Sequence, residues 1–380
     1  MAELRTVFEM VTNQIEPDLD AWREQSQRQR RSARSRKMRA MAVAAAVAVG
    51  AALFAARVLD RGDDGSTPAS VVPTAPGVAL TIVELDGSIR SSVTELPEGV
   101  AMPDVSPDGS MVAFALTARQ GGVDGLGSQI AVSNLSGTGS HTVTNGRRRS
   151  DEWPRWSPDG TRLLFTRLLS YRSQATGGKG YRRLMVMDAD GSDAHVIRGT
   201  RSPDEQPAAW SPDGSMILYT SVAGGSQHLE SIPVTGGRSD QLTNSQREEG
   251  GGTWSPDGQS IAFVRQANVV IEAPAGPTHQ LLDQIWVMNA DGSGKHLLAT
   301  LPNAHAEAPE WSPDGTMIAF IGSTFGIGGA ESASDAVYVA NVATGEITQV
   351  LKGLAVGMGH ASHASWLPDG DALLVMTRTS

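Results

Sequence analysis

The side chains of this 380-residue chain best suited to binding or catalysis gather ahead of its tryptophans. Asp151 and Glu152, Asp204 and Glu205, Glu248 and Glu249, and Glu307 stand at similar offsets before Trp156, Trp210, Trp254 and Trp311. Asp104 precedes Val105, and His360 and His363 precede Trp366. Carboxylates that converge on one mouth concentrate a divalent cation or a basic peptide. Scattered over separate loops, they only solvate loop edges and cap turns. His305, His360 and His363 could join Glu307 as a metal set. Against this, His360-x-x-His363 on an extended segment turns its two rings to opposite sides. No metal and no cofactor are therefore expected, with calcium at the acidic mouth the one alternative left open.

Other chemistry is poorly supported. The chain has no cysteine, which excludes disulfides and thiolate metal sites. Gly292-Ser293-Gly294-Lys295 lacks the leading glycine spacing of a phosphate loop, and no Gly-x-Ser-x-Gly elbow occurs. In Asp188-x-Asp190-Gly191-Ser192-Asp193 the glycine comes too early for a calcium loop and suits a hairpin turn. Arg147-Arg148-Arg149 and the basic stretch through Arg172, Lys179, Arg182 and Arg183 could touch anionic headgroups or glycans, although a solvated loop explains them as well. The expectation is a protein without catalytic residues.

The elements that must position these residues come from a repeat. An apolar residue, usually tryptophan, precedes Ser-Pro-Asp-Gly at Ser106, Ser157, Ser211, Ser255 and Ser312, with Leu367-Pro-Asp-Gly as a sixth copy. The copies recur every 44 to 57 residues, a period of propellers and similar arrays. Serine caps such a turn, proline presets φ at its second position, and glycine closes it. Five residues beyond each glycine stand Phe114, Phe165, Tyr219, Phe263, Phe320 and, in the last copy, Val375, at the ends of apolar runs that read as buried strands. A second hairpin follows in each period, clearest at Leu184 to Ile197 and Ile285 to Leu298. Four short strands per period make a propeller blade. The fold class is all-β, a six-bladed β-propeller over residues 78–380. Leu80 to Val93 precedes every turn copy while no second hairpin follows the last, so the two chain ends are expected to share one blade.

These units, with Val186-Met187-Asp188-Ala189-Asp190-Gly191 and Val287-Met288-Asn289-Ala290-Asp291-Gly292, resemble the TolB-type, WD-like propeller repeat. The resemblance covers residues 80–380. The same repeat occurs in propellers of prolyl-oligopeptidase-like peptidases, so it implies an architecture and leaves activity open.

The N-terminus has a different character. Residues Ala40 to Ala56 carry no charge, and Val58-Leu59 extend the apolar run. As a helix these residues approach the roughly 30 Å hydrocarbon core, with flanking arginines able to snorkel. A transmembrane α-helix is expected over 40–59, followed by a Pro/Gly/Ser-rich linker over 60–77. Residues 1–40 hold nine basic and six acidic side chains against a net charge of −10 for the whole chain. The positive-inside rule then puts residues 1–39 in the cytoplasm and the propeller outside a cell membrane crossed once. An acidic propeller is a poor nucleic-acid partner. Leu4, Val7, Phe8, Val11 and Ile15 share one helical face, which either lies on the membrane or docks a cytoplasmic protein through residues 2–15.

In an antiparallel blade the tight turns fall on one face of the ring. The long connections Thr117 to Gln129, Leu168 to Arg182, Gln266 to Gln284 and Gly322 to Ala336 fall on the other, the default place for binding. Three functions fit. The first is a membrane-anchored, extracytoplasmic scaffold that binds a protein or cell-envelope component. The second is a transmembrane regulator, resembling membrane-bound anti-sigma factors in layout. The third is a metal-dependent propeller hydrolase using the acidic rim.

Overall fold

The computed structural model of the protein describes residues 78–94, 99–116, 127–145, 149–169, 181–199, 206–223, 226–273, 276–302, 304–323, 335–352 and 363–378. The expected span, the linker and the Leu4 to Ile15 stripe lie outside these residues. Among the described residues no helix is long and apolar enough to cross a membrane.

All regular structure described is β. The first hairpin is β1 (Val78–Glu84) with β2 (Ile89–Val93). Blade 1 is β3 (Val100–Val105), β4 (Met111–Leu116), β5 (Gln129–Asn134) and β6 (His141–Thr142). Blade 2 is β7 (Arg149–Trp156), β8 (Arg162–Leu169), β9 (Tyr181–Asp188) and β10 (His195–Gly199). Blade 3 is β11 (Gln206–Trp210), β12 (Met216–Ala223), β13 (Ser226–Pro233) and β14 (Asp240–Gln241). Blade 4 is β15 (Glu249–Trp254), β16 (Ser260–Ala273), β17 (Gly276–Asn289) and β18 (His296–Ala299). Blade 5 is β19 (His305–Trp311), β20 (Met317–Ser323), β21 (Asp335–Asn341) and β22 (Ile347–Lys352). The last pair is β23 (Ser365–Trp366) and β24 (Ala372–Arg378).

This last pair joins the first hairpin as a sixth sheet, ordered β2-β1-β24-β23. β1 pairs with β24 from Val78↔Arg378 to Glu84↔Ala372, so the two ends of the propeller share one blade, as the repeat count requires. The innermost strands β3, β7, β11, β15, β19 and β23 touch in succession, and β23 returns to β3. The ring is closed and has six blades.

The repeated turn is built from its own side chains. Ser157 Oγ donates to Asp159 Oδ1 at 2.6 Å, and Thr161 N–H donates to the same oxygen at 3.0 Å. Ser157 Oγ also accepts Arg162 N–H at 2.9 Å. The serine–aspartate bond recurs at Asp108, Asp213, Asp257 and Asp314. These donors favour the carboxylate, and Ser157 above all holds Asp159 down at about 2. Since that lies below the ordinary 3.8 of an unfolded aspartate, the turn stabilises the ring fully above about pH 4. The contribution is lost as pH falls toward about 2. We expect the Asp159 carboxyl carbon to titrate in that low range by NMR; a midpoint near 4 would contradict this turn chemistry. In the sixth copy Leu367 exchanges the hydroxyl for apolar packing beside Val105, Val112 and Ala372.

Stacking the turns locks neighbouring blades. Gly109 takes a left-handed φ of 73°, and a methyl group there would lie 3.3 Å from Pro368 Cδ. The same glycine-on-proline contact runs from each turn to the previous one round the whole ring. The strand-end aromatics Phe114, Phe165, Tyr219, Phe263 and Phe320 are fully buried. The core clusters draw on adjacent sheets. One of them, for example, sets Leu80, Leu374 and Met376 of the shared blade against Phe114 and Ala131 of blade 1. Apolar burial of about 25 cal/mol per Å² therefore acts between blades as well as within them.

One connection differs from expectation. Gln266 to Gln284 is not an irregular loop, because β16 and β17 stay paired from Ser260↔Asn289 to Ala273↔Gly276. The result is a two-stranded ribbon that carries the pairing of β16 with β17 through Val269↔Gln280 and Ile271↔Thr278.

Candidate functional site

The channel wall is shaped by a backbone irregularity that recurs in the innermost strands. Four residues before the turn serine, Met102, Trp153 and Ala308 adopt positive φ of 56°, 53° and 50°, and Gly251 does so at 58°. Strand register shifts at the same places, between Ala101 and Asp104, Glu152 and Arg155, Gly250 and Thr253, and Glu307 and Glu310. Such bulges re-aim side chains. All four residues line a central cavity of about 660 Å³. Its wall is uneven, with bulky Met102 and Trp153 on blades 1 and 2 and small Gly251 and Ala308 on blades 4 and 5.

Two residues before the turn, the strands place Asp104, Arg155 and Glu310, all of which line the cavity. Arg155 Nη1 lies 3.2 Å from Asp104 Oδ1 and 2.8 Å from His363 Nε2. His363 Nε2 lies 2.6 Å from Glu310 Oε2. The carboxylates also accept main-chain donors of the next blade. Trp156 N–H reaches Asp104 Oδ2 at 2.7 Å, and Trp366 N–H reaches Glu310 Oε1 at 3.1 Å. The indoles repeat this step, with Trp156, Trp210 and Trp366 Nε1 donating to the carbonyls of Asp104, Arg155 and Glu310 at 3.0–3.1 Å.

This clasp ties blades 5, 6, 1 and 2 together across the ring closure. Burial pushes Asp104 above the ordinary aspartate value despite Arg155. Burial acts the same way on Glu310, but His363, Arg155 and the Trp366 N–H together hold it below the ordinary glutamate value.

The acidic residues expected at the rim divide into three groups. Asp151 and Glu249 do not face the mouth as open charges. Asp151, fully buried, binds Arg167 through both oxygens at 2.7 and 3.0 Å. Glu249, 1% exposed, lies 3.3 Å from Arg265 Nε. Both pairs join the innermost strand to the second strand of the same blade. Glu152 lies 3.6 Å from Arg182, whose guanidinium stacks 4.4 Å from the Trp153 ring centre. Burial raises Glu152 above its ordinary value.

Glu248, Glu307 and His363 do line the cavity, and Glu248 accepts Gln227 N–H at 2.9 Å. Asp204, Glu205 and His360 lie outside the described residues. The three histidines that could have joined Glu307 are therefore not seen together, since His360 lies outside the described residues and His363 belongs to the clasp. His305 and Glu307 instead meet Asp283 of blade 4.

Arg155, Glu310 and Asp283 complete the charged lining and were not anticipated. A charge wedged between proline and the turn's apolar residue, as in Pro103-Asp104-Val105, Pro154-Arg155-Trp156 and Pro309-Glu310-Trp311, is a legible mark of the first two. Asp283 has no such mark, because it arrives from a different blade.

The chain matches the family model described as the TolB beta propeller domain over residues 71–324. It is 32% identical over 186 residues to the Tol-Pal system protein TolB of Anaeromyxobacter dehalogenans (strain 2CP-C), covering 49% of this chain and 38% of the relative. The match to the Tol-Pal system protein TolB of Francisella tularensis subsp. mediasiatica is 32% over 109 residues, 28% of this chain and 25% of the relative. The chain thus spans well under half the length of these relatives. Among solved structures, a TolB-type protein of Agrobacterium tumefaciens superposes with a TM-score of 0.60 at 18% identity, over 80% of this chain and 99% of the other. TolB from Acinetobacter baumannii gives 0.52 at 18% identity, over 73% and 64%. At these identities the structural likeness concerns the fold alone.

Proposed function

This chain belongs to the TolB beta propeller domain family, and we propose from that premise that it is a non-catalytic binding scaffold for a protein or cell-envelope component. The observation that carries the reading is the preformed central cavity of about 660 Å³, in whose wall Asp104, Arg155, Glu310 and His363 are already paired to one another. Groups so paired hold a shape and present a fixed electrostatic surface; they are poorly placed to exchange protons with a substrate. The relatives named as Tol-Pal system proteins support a role in an assembly. The partner enters the cavity past Glu248, Asp283 and Glu307, which line its wall. Residues 40–59 anchor the scaffold in the membrane, with the propeller outside the cytoplasm.

Photo-crosslinking in cells tests both parts. A crosslinking residue at Gln227, on the cavity wall, is expected to capture an envelope protein, and one at Ile89, on an outermost strand, is not. The full chain resists alkaline carbonate extraction, whereas a chain lacking residues 40–59 is released. Equal adducts at the two positions would remove the channel from the function. Release of the full chain would remove the anchor.

A further inference from the structure

Asp283 and Glu307, which line the cavity, meet His305 in a second polar group, separate from the Arg155 clasp. Asp283 stands on β17 just before that strand pairs with β18 at Ile285↔Ala299, opposite Gln266 at the root of the ribbon. His305 and Glu307 are two residues apart on β19, so their side chains leave the same face of the strand. Packing of blade 5 on blade 4 brings one imidazole nitrogen and one oxygen from each carboxylate within 4.8 Å of one another. His305 Nδ1 lies 2.8 Å from Asp283 Oδ2, and all three side chains are half-buried.

We propose that Asp283, His305 and Glu307 form a binding site for one divalent first-row transition ion of the manganese or zinc class. Around such an ion, with bonds of about 2.1 Å, donor atoms sit roughly 3 to 4 Å apart, so modest side-chain rotation closes the set. Two carboxylates offset the ion's charge, and water completes the shell. The imidazole decides the class. Calcium and magnesium favour all-oxygen shells, whereas manganese and zinc accept nitrogen with oxygen. Because the donors come from two blades, the bound ion pins the ribbon root to blade 5. The site is independent of partner capture and stands if that reading fails.

Manganese titration of the purified full chain, followed by electron paramagnetic resonance, tests the site. One manganese per chain is expected to bind saturably and to be displaced by zinc. Asp283→Asn and His305→Ala each weaken binding at least tenfold, the scale seen when even supporting residues of a metal site are lost. Glu248→Gln, on the same cavity wall, changes it less than threefold. Circular dichroism confirms folding, and His305→Gln replaces the alanine variant if that one unfolds. Three results would each overturn the proposal: no saturable manganese, equal losses in Glu248→Gln, or displacement by equimolar calcium.

Discussion

Replacing Arg155 with alanine is expected to destabilise the propeller by about 3 kcal/mol, near the lower end for breaking a buried ion pair. The guanidinium is the cation of the clasp, contacting Asp104 on blade 1 and His363 at the start of the shared blade. Its removal leaves the Asp104 carboxylate, 13% exposed, without its counter-charge. Asp104 already sits above its ordinary pKa because of burial, and losing Arg155 moves it further up. A raised acid is tolerated protonated and penalised ionised, so the defect grows as pH rises through that value. Urea denaturation at two pH values reads this directly, as a midpoint that falls more at the higher pH. The double variant Arg155→Met with Asp104→Asn recovers most of the loss, because no charge is left unpaired and asparagine still accepts the Trp156 N–H. A single variant as stable as the parent at both pH values would show that the clasp holds nothing.

A larger effect is expected from removing residues 371–380, which deletes β24. Leu373, Leu374, Val375 and Met376 are each at most 7% exposed. At about 1.5–3 kcal/mol per buried side chain, their loss amounts to roughly 6–12 kcal/mol, comparable to the whole stability of an ordinary domain. β1 also loses the strand it pairs with along seven residues, and β23 loses its ladder. Blades 5 and 1 are left with uncovered apolar faces beside unpaired edges, a route to aggregation. The truncated chain should elute as aggregate and lose its near-ultraviolet dichroism. A soluble monomer with the parent spectrum would refute closure by a shared blade.

Much of the fold could be read from local chemistry. Serine, proline, aspartate and glycine in that order leave the backbone few choices, and the serine–aspartate bonds at Asp108 through Asp314 are contained within each turn. Phe114, Phe165, Tyr219, Phe263 and Phe320 follow at constant spacing and are all buried. The ribbon was not legible in this way, since Val269-Val270-Ile271 continues a strand while the surrounding length resembles a long connection.

The site was legible only in part. A carboxylate before a blade tryptophan looks the same in the sequence whether it faces the channel or an arginine. Asp151 and Glu249 found Arg167 and Arg265 on the neighbouring strand, whereas Glu248 and Glu307 reached the cavity. The bulges at Trp153 and Ala308 reverse the simple alternation of the strand, so period-two counting misassigns faces there.

By itself, then, the sequence determined the number of blades, the strand order within each, and the need for the two ends of the propeller to meet, because turns and apolar runs act over a few residues. Only the tertiary structure decided that Asp104, Arg155, Glu310 and His363 form one clasp, and that Asp283 joins His305 and Glu307. Those contacts cross blades and span up to 208 residues of chain. Their partners are selected by the curvature of the closed ring, which no local pattern encodes.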